Sequence, residues 1–159
     1  RRAGADEVIV LGSAHPDRRQ LALTVGADRF ISVRGADAVQ QVADITHGAM
    51  VSHVVECVGT QGSFDTAFGV VRDGGTVSYV GLPHQVSIDP ARLFMHNITL
   101  TGGMCPARVY MPLLMDEVLA GRSHPGRVFT ATLPLDRVGR AYELMDRRES
   151  IKCLLTVGA

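Results

Sequence analysis

The chain has 159 residues, of which 46% are hydrophobic and 20% charged, and its 16 basic residues balance its 16 acidic ones. This composition excludes a disordered chain, which needs low hydrophobicity and high net charge, and the length fits one domain. The charge balance argues against nucleic acid or an anionic membrane as a partner. No apolar run approaches the roughly 18 residues that a membrane span requires, so we expect no membrane.

Three widely spaced cysteines, Cys57, Cys105 and Cys153, form neither a disulfide framework nor a C-x-x-C metal motif. Each sits in an apolar run, which predicts small buried side chains. The histidines lack the spacing of a ligand pair, so we expect no metal site in this chain. Without a signal-peptide pattern, the cysteine usage favours a reducing, cytoplasmic setting.

Short apolar runs alternate along the chain with helical patterns of about ten residues. Strands are predicted at 7–11, 29–33, 52–58, 76–81 and 98–103. Helices are predicted at 16–25, 36–46, 63–71 and 110–119, and a turn at 73–75. Strands that alternate with helices indicate an α/β fold, a doubly wound parallel sheet with helices on both faces.

Four of the predicted strands end in glycine, at Gly12, Gly59, Gly81 and Gly102. In an open parallel sheet the ligand crevice lies outside the carboxyl ends of the strands. Glycines there would let a ligand approach the backbone closely. The series therefore predicts a ligand-binding edge.

The end of the chain follows a different pattern. An extended segment at 126–132 and an amphipathic helix at 135–146 precede a strand at 151–157 that no helix follows. We expect this last strand to return to a different sheet.

Six short blocks also occur in a definite order along the chain. They are ECVG at 56–59, DGGTV at 73–77, VGLP at 80–83, NITLTGG at 97–103, MCPAR at 104–108 and IKCLL at 151–155. In this order they resemble the cofactor-binding half of the zinc-dependent medium-chain alcohol dehydrogenases. The resemblance spans essentially the whole chain and implies a Rossmann-like domain that binds a nicotinamide dinucleotide. It also implies an intact enzyme that transfers hydride between this cofactor and an alcohol or carbonyl substrate, assisted by zinc.

The resemblance implies that the loop after the first strand faces the adenosine ribose of the cofactor. This loop carries Gly12, Ser13 and His15, and Arg18 lies close by. No acidic residue stands there to bind a ribose 2′-hydroxyl, whereas an arginine suits a 2′-phosphate. These features favour NADP over NAD, although Ala14 stands where relatives often carry an arginine.

The same resemblance assigns further cofactor contacts to the ends of the later strands. The residues implied on the ribose and nicotinamide side are Cys57, Val58, Gly59, Val80, Gly81 and Leu82. Gly102, Gly103 and Arg108 match a segment that closes on the cofactor, and Lys152 matches a basic residue that reaches the pyrophosphate. Residues 93–103 resemble a dimer-forming edge, which implies a homodimer or homotetramer when intact.

In this family the zinc ligands, the glycine-rich turn and the first Rossmann strand precede the part that this chain matches. We therefore expect a C-terminal fragment, with a partial dinucleotide-binding domain at 1–125 and a return segment at 126–159. Zinc would bind only in the missing N-terminal domain, and the fragment alone would be inactive. Since the missing strand is central, we expect 7–11 to pair directly with 52–58 so that no edge stays unsatisfied.

Two other functions fit the same pattern. One is a zinc-free quinone reductase of the same superfamily, and the other is a non-catalytic α/β module that binds a nucleotide or protein. The substrate itself is not indicated, because its pocket would lie mostly in the missing half.

Overall fold

The computed structural model describes residues 4–158, in which strands and helices follow the predicted order with one additional short helix between the fourth and fifth strands. The strands are β1 (Ile9–Leu11), β2 (Arg29–Ile31), β3 (Val51–Glu56), β4 (Val71–Tyr79), β5 (Thr99–Gly102), β6 (Ala131–Pro134) and β7 (Cys153–Thr156). The α-helices are α1 (Pro16–Thr24), α2 (Gly35–Ile45), α3 (Gln61–Val70), α4 (Pro90–Met95), α5 (Ala107–Leu119) and α6 (Val138–Asp146). The predicted α/β fold class, with parallel strand pairing, is thereby confirmed.

The described residues divide into two compact units. The central unit comprises residues 31–106, and the terminal unit comprises residues 4–30 together with 107–158. Each unit has strands and helices of its own, so each is described by itself.

The central unit is built on a parallel three-stranded sheet in the order β3-β4-β5. Its hydrophobic core consists of the buried residues Phe64, Ala67, Phe68, Val71, Val77 and Ile98. Val77 is fully buried because β4 is the middle strand, and the Phe64 ring stacks at a tilt against Tyr79 with centroids 5.6 Å apart. These contacts hold α3 against the sheet.

The predicted turn at 73–75 is an irregularity inside β4. Pairing with β3 moves from Val51 opposite Val71 to His53 opposite Thr76, so β4 carries extra residues in this interval. Gly74 has a φ of +71°, and its N–H donates to the carbonyl of His96 at 2.9 Å. The glycines therefore bulge the strand without reversing the chain.

In the terminal unit the last strand finds a partner within the same unit. β7 pairs in parallel with β6, with Cys153 opposite Ala131, and Ala141 of α6 is buried. β1 is hydrogen-bonded to β2 in a separate two-stranded sheet. The return strand thus joins a different sheet, as expected.

The predicted direct pairing of 7–11 with 52–58 is wrong. Among residues 4–158, β1 pairs with β2 and β3 pairs with β4, and the two strands lie in different sheets. The prediction assumed that a free strand edge would be buried. Ser52, His53 and Val55 of β3 are exposed instead, so water can satisfy the free backbone groups of that strand.

The prediction of buried cysteines is also wrong for two of the three. Cys57 and Cys105 are exposed, and Cys153 is half-buried. Cys57 follows the last residue of β3 and Cys105 follows the end of β5, where the chain has already left the sheet. Apolar neighbours in sequence therefore did not bring these thiols into the core.

Candidate functional site

Three parallel strands of the central unit end at the same side of their sheet, here called the carboxyl edge. The register places Glu56 of β3 opposite Tyr79 of β4, and Tyr79 opposite Gly102 of β5. The residues predicted from the sequence at this edge are Cys57, Val58, Gly59, Val80, Gly81, Leu82, Gly102 and Gly103. The fold brings this set together on adjacent strand ends.

Glu56 organises the loop that follows β3. The residue is only 4% exposed, and its Oε1 accepts hydrogen bonds from the N–H groups of Val58 at 2.7 Å and Gly59 at 3.0 Å. Its backbone carbonyl accepts from the N–H of Val80 at 2.9 Å. One residue thus holds both the loop after β3 and the start of the loop after β4.

The loops after β3 and β4 are in direct backbone contact. Gly59 has a φ of +84°, and a Cβ at this position would lie 2.2 Å from the carbonyl oxygen of Leu82. A Cβ on Gly81 would lie 2.7 Å from the backbone nitrogen of Val58. The N–H of His84 donates to the Gly59 carbonyl at 3.0 Å, which joins the two loops further on.

At two other strand ends, contacts within the protein also explain why the residue is glycine. A Cβ on Gly102 would lie 2.5 Å from the Tyr79 ring, and one on Gly12 would lie 2.6 Å from the Phe30 ring. At Gly103 a Cβ would meet nothing within 4 Å. Close packing within the protein therefore accounts for glycine at Gly12, Gly59, Gly81 and Gly102, and the series does not by itself indicate a ligand.

The Cys57 thiol at this edge is not an activated nucleophile. Although the residue as a whole is exposed, its thiol is partly shielded from water, which raises the pKa of the thiol, and the negative charge of the adjacent Glu56 raises that pKa further. Its Sγ lies 3.6 Å from the carbonyl oxygen of Val55. The thiol is therefore protonated near neutral pH, and covalent catalysis by Cys57 is not favoured.

Helix α3 begins immediately after the β3 loop. Thr60 and Ser63 form a reciprocal capping box, in which each side chain accepts from the other residue's backbone N–H. Sequence reasoning missed this cap, and it also missed Tyr79, whose ring covers Gly102. A Thr-x-x-Ser spacing before an apolar helix is a weak but readable signal, whereas nothing in the sequence marked the tyrosine.

The residues predicted around the adenosine ribose lie in the terminal unit, at the end of β1 and the start of α1. Ser13 Oγ and His15 Nδ1 are buried polar atoms with no hydrogen-bond partner among the described residues. His15 Nδ1 lies 4.0 Å from Asp17 Oδ2, which is too far for a hydrogen bond. Buried polar atoms of this kind are usually paired with water or a ligand.

A cleft of about 690 Å³ lies beside this loop, within the terminal unit. Its walls are mainly apolar, with Val8, Leu21 and Phe30 among the lining residues, and Ser13 and Arg18 are among its polar members. Apolar walls with a few polar groups in a volume of this order suit a small organic ligand. The free polar atoms of the loop together with this cleft fit the adenosine end of a dinucleotide.

Arg108 and Lys152 also belong to the terminal unit. Arg108 lies in the first turn of α5 and lines a shallow groove with Met111, Pro112 and Met115. Lys152 precedes β7, and its carbonyl accepts from the N–H of Thr130 at 3.0 Å while its side chain is exposed. Their predicted contacts with a cofactor stay predictions.

The described residues do not fit a catalytic zinc. Within 4–158, no three His, Cys, Asp or Glu side chains come together in a group that could hold a metal ion. The same residues include no helix with the length and apolar character needed to cross a membrane.

The sequence pattern of the zinc-binding dehydrogenases matches residues 1–120. A probable zinc-binding alcohol dehydrogenase of Mycobacterium tuberculosis is 34% identical over 128 residues, which cover 79% of this chain and 32% of that protein. An alcohol dehydrogenase of Cupriavidus necator is 30% identical over 149 residues, which cover 91% of this chain and 40% of that protein. The chain thus spans less than half the length of these relatives.

Two solved structures also match nearly the whole of this chain over less than half of their own length. An alcohol dehydrogenase from Thermus sp. ATN1 superposes with a TM-score of 0.84 at 29% identity, over 98% of this chain and 45% of that one. A zinc-binding alcohol dehydrogenase domain protein from Burkholderia ambifaria superposes with a TM-score of 0.86 at 24% identity, over 99% of this chain and 44% of that one.

Proposed function

Because the chain belongs to the zinc-binding dehydrogenase family, whose sequence pattern matches residues 1–120, we propose that it forms the dinucleotide-binding part of an oxidoreductase. The reaction would transfer hydride between a nicotinamide cofactor and an alcohol or carbonyl substrate. The observation that carries the proposal is the pair of interlocked loops at the carboxyl edge, where Glu56 holds the backbone of both. The bound nicotinamide supplies the hydride chemistry, and the chain binds and orients it.

We propose NADP ahead of NAD as the cofactor. Support comes from the loop after β1, which lacks a carboxylate and carries the unpartnered polar atoms of Ser13 and His15. Arg18 lines the adjacent cleft and would supply the positive charge that a 2′-phosphate needs.

We propose that residues 1–125 act as a partial dinucleotide-binding domain and 126–159 as a return segment. Zinc would be bound in the N-terminal domain of the intact protein, as the family resemblance implies. The chain alone would then bind cofactor without turning over substrate. A homodimer or homotetramer and a cytoplasmic setting complete the proposal.

Calorimetric titration of the 159-residue chain with NADPH and NADH tests the proposal. We expect both to bind, with NADPH the tighter. Substitution Arg18→Ala should weaken NADPH binding about tenfold and leave NADH nearly unchanged, because one charge-assisted contact to phosphate is lost. Arg19→Ala, at the neighbouring exposed arginine, is the matched control. Failure of the chain to bind either dinucleotide contradicts the proposal, and equal losses for both contradict the NADP preference.

A further inference from the structure

The side chain of Gln61 joins the start of α3 to the loop between β4 and α4. Its Oε1 accepts from the N–H of Ser87 at 2.8 Å, and its Nε2 donates to the carbonyl of Ser87 at 3.1 Å. Nε2 also donates to Asp65 Oδ1, one turn along the helix, at 2.8 Å. The carboxamide thereby pairs with both backbone groups of one loop residue and is itself held in place by Asp65.

The loop that Gln61 holds is the one that continues from Val80–Leu82. Three residues before Ser87, the N–H of His84 donates to the Gly59 carbonyl at 3.0 Å. Val86 packs against the hydrophobic core, and Gln85 between them has a left-handed φ of +54°. The loop therefore has a fixed path with two polar attachments, both to residues next to the end of β3.

We infer that Gln61 is a positioning residue for the carboxyl edge, acting through Ser87 to keep the backbone of Val80–Leu82 against Gly59. The inference rests on the proposed dinucleotide site. Without the Gln61 contacts, the backbone N–H and carbonyl of Ser87 would hydrogen-bond to water instead, and the loop would gain conformational freedom. A ligand that binds the ordered loop would then bear the cost of ordering it, and its affinity would fall.

Three variants separate the contacts of Gln61. Gln61→Ala removes them all. Gln61→Glu keeps an acceptor for the N–H of Ser87, but it loses both donated bonds and places a second carboxylate beside Asp65. Combining Gln61→Glu with Asp65→Asn restores the bond along the helix with donor and acceptor exchanged. Thr66→Ala is the matched control on the same helix, because the Thr66 hydroxyl donates only to the Gly62 carbonyl, at 2.8 Å.

The readouts are NADPH affinity, amide hydrogen exchange across residues 80–88 and thermal stability. For Gln61→Ala we expect about fivefold weaker NADPH binding, from the loss of about 1 kcal/mol of hydrogen bonding. Exchange at the Ser87 and His84 amides should become faster. The Gln61→Glu variant should also bind NADPH more weakly than the wild type, and the double variant should recover part of the lost affinity. The Thr66→Ala variant should keep the wild-type affinity and amide exchange.

The outcomes separate this inference from the proposed function. If wild-type chain binds NADPH but Gln61→Ala binds it equally well, or leaves the Ser87 and His84 amides equally protected, the positioning role is overturned and the proposed function stands. A loss of affinity that merely follows a fall in thermal stability, without recovery in the double variant, also overturns it. If the wild-type chain binds no dinucleotide, the proposed function fails, and the site that Gln61 would serve fails with it.

Discussion

Glu56 accepts hydrogen bonds from both loops at the carboxyl edge, through its side chain and its backbone carbonyl. Its buried carboxylate satisfies the N–H groups of Val58 and Gly59 in a loop that makes no strand pairing of its own. Buried donors left without an acceptor each cost about 1–3 kcal/mol. Glu56 therefore determines the shape of the loop on which the proposed cofactor contacts depend.

The substitution Glu56→Ala should lower the free energy of unfolding by about 2–4 kcal/mol, because it leaves both amides unpaired. Glu56→Gln should cost less, since its amide oxygen can still accept from both. Urea denaturation of the two variants measures the difference. A Glu56→Ala chain as stable as the wild type would show that water replaces the carboxylate without cost.

The pKa of the Cys57 thiol depends in part on the charge of the Glu56 carboxylate. Burial and the charge of Glu56 both raise the pKa of this thiol, so its thiolate appears only at higher pH than for an unperturbed cysteine. Alkylation rates measured against pH, with peptides resolved by mass spectrometry, should give a midpoint above the ordinary thiol range. Glu56→Gln should lower that midpoint, because the charge is removed while the burial remains. A midpoint that does not fall would assign the shift to burial alone.

At the scale of secondary structure, the interlocking of the β3 and β4 loops depends on Gly59. We predict that Gly59→Ala destabilises the chain by about 2 kcal/mol or more, since it adds a clash with the Leu82 carbonyl to an unfavourable φ. Gly62→Ala, inside the adjoining helix α3, is the control, because a Cβ there meets nothing within 4 Å. It should be neutral or stabilising by up to about 1 kcal/mol. Equal effects of the two substitutions in chemical denaturation would contradict the interlocking.

The strands and helices of this chain were largely predictable because short apolar runs alternate with longer mixed segments, and because α2 and α6 are clearly amphipathic. The boundary of α1 followed from Pro16 at its first turn and from Gly26, which has a φ of +112° just beyond its end. The bulge at 73–75 was not predictable, because two glycines between a predicted helix and a predicted strand look the same whether they form a turn or a bulge inside the strand. Helix α4 was missed because it spans six residues and depends on a local cap by Asp89.

The candidate site was predictable as a set of strand ends but not as a set of contacts. Parallel pairing placed Gly59, Gly81 and Gly102 at adjacent strand ends, as the alternating pattern required. Gly59 lies against the Leu82 carbonyl, Gly81 against the backbone of the β3 loop and Gly102 against the Tyr79 ring. Such contacts between separate segments have no local sequence signal. The Gln61 contacts with Ser87 were invisible for the same reason, since 26 residues separate them.

At the scale of the whole chain, two compact units each carry part of the predicted cofactor contacts. The loops after β3 and β4 belong to the central unit, while Ser13, His15 and Arg18 belong to the terminal unit. The chain spans 32% and 40% of the length of two relatives that it matches in sequence. Its membership of the dehydrogenase family is shown by sequence, and dinucleotide binding by this chain is the claim that needs a direct test.

Two-dimensional NMR of the isotope-labelled chain, titrated with NADPH, tests that claim most directly. The account predicts saturable shifts of the amide signals of Ser13, Gly59 and Gly81, with smaller shifts when NADH is used. Signals of α2 should stay in place, because no cofactor contact is proposed on that helix. Shifts confined to residues elsewhere, or no shift at millimolar NADPH, would contradict the proposed site.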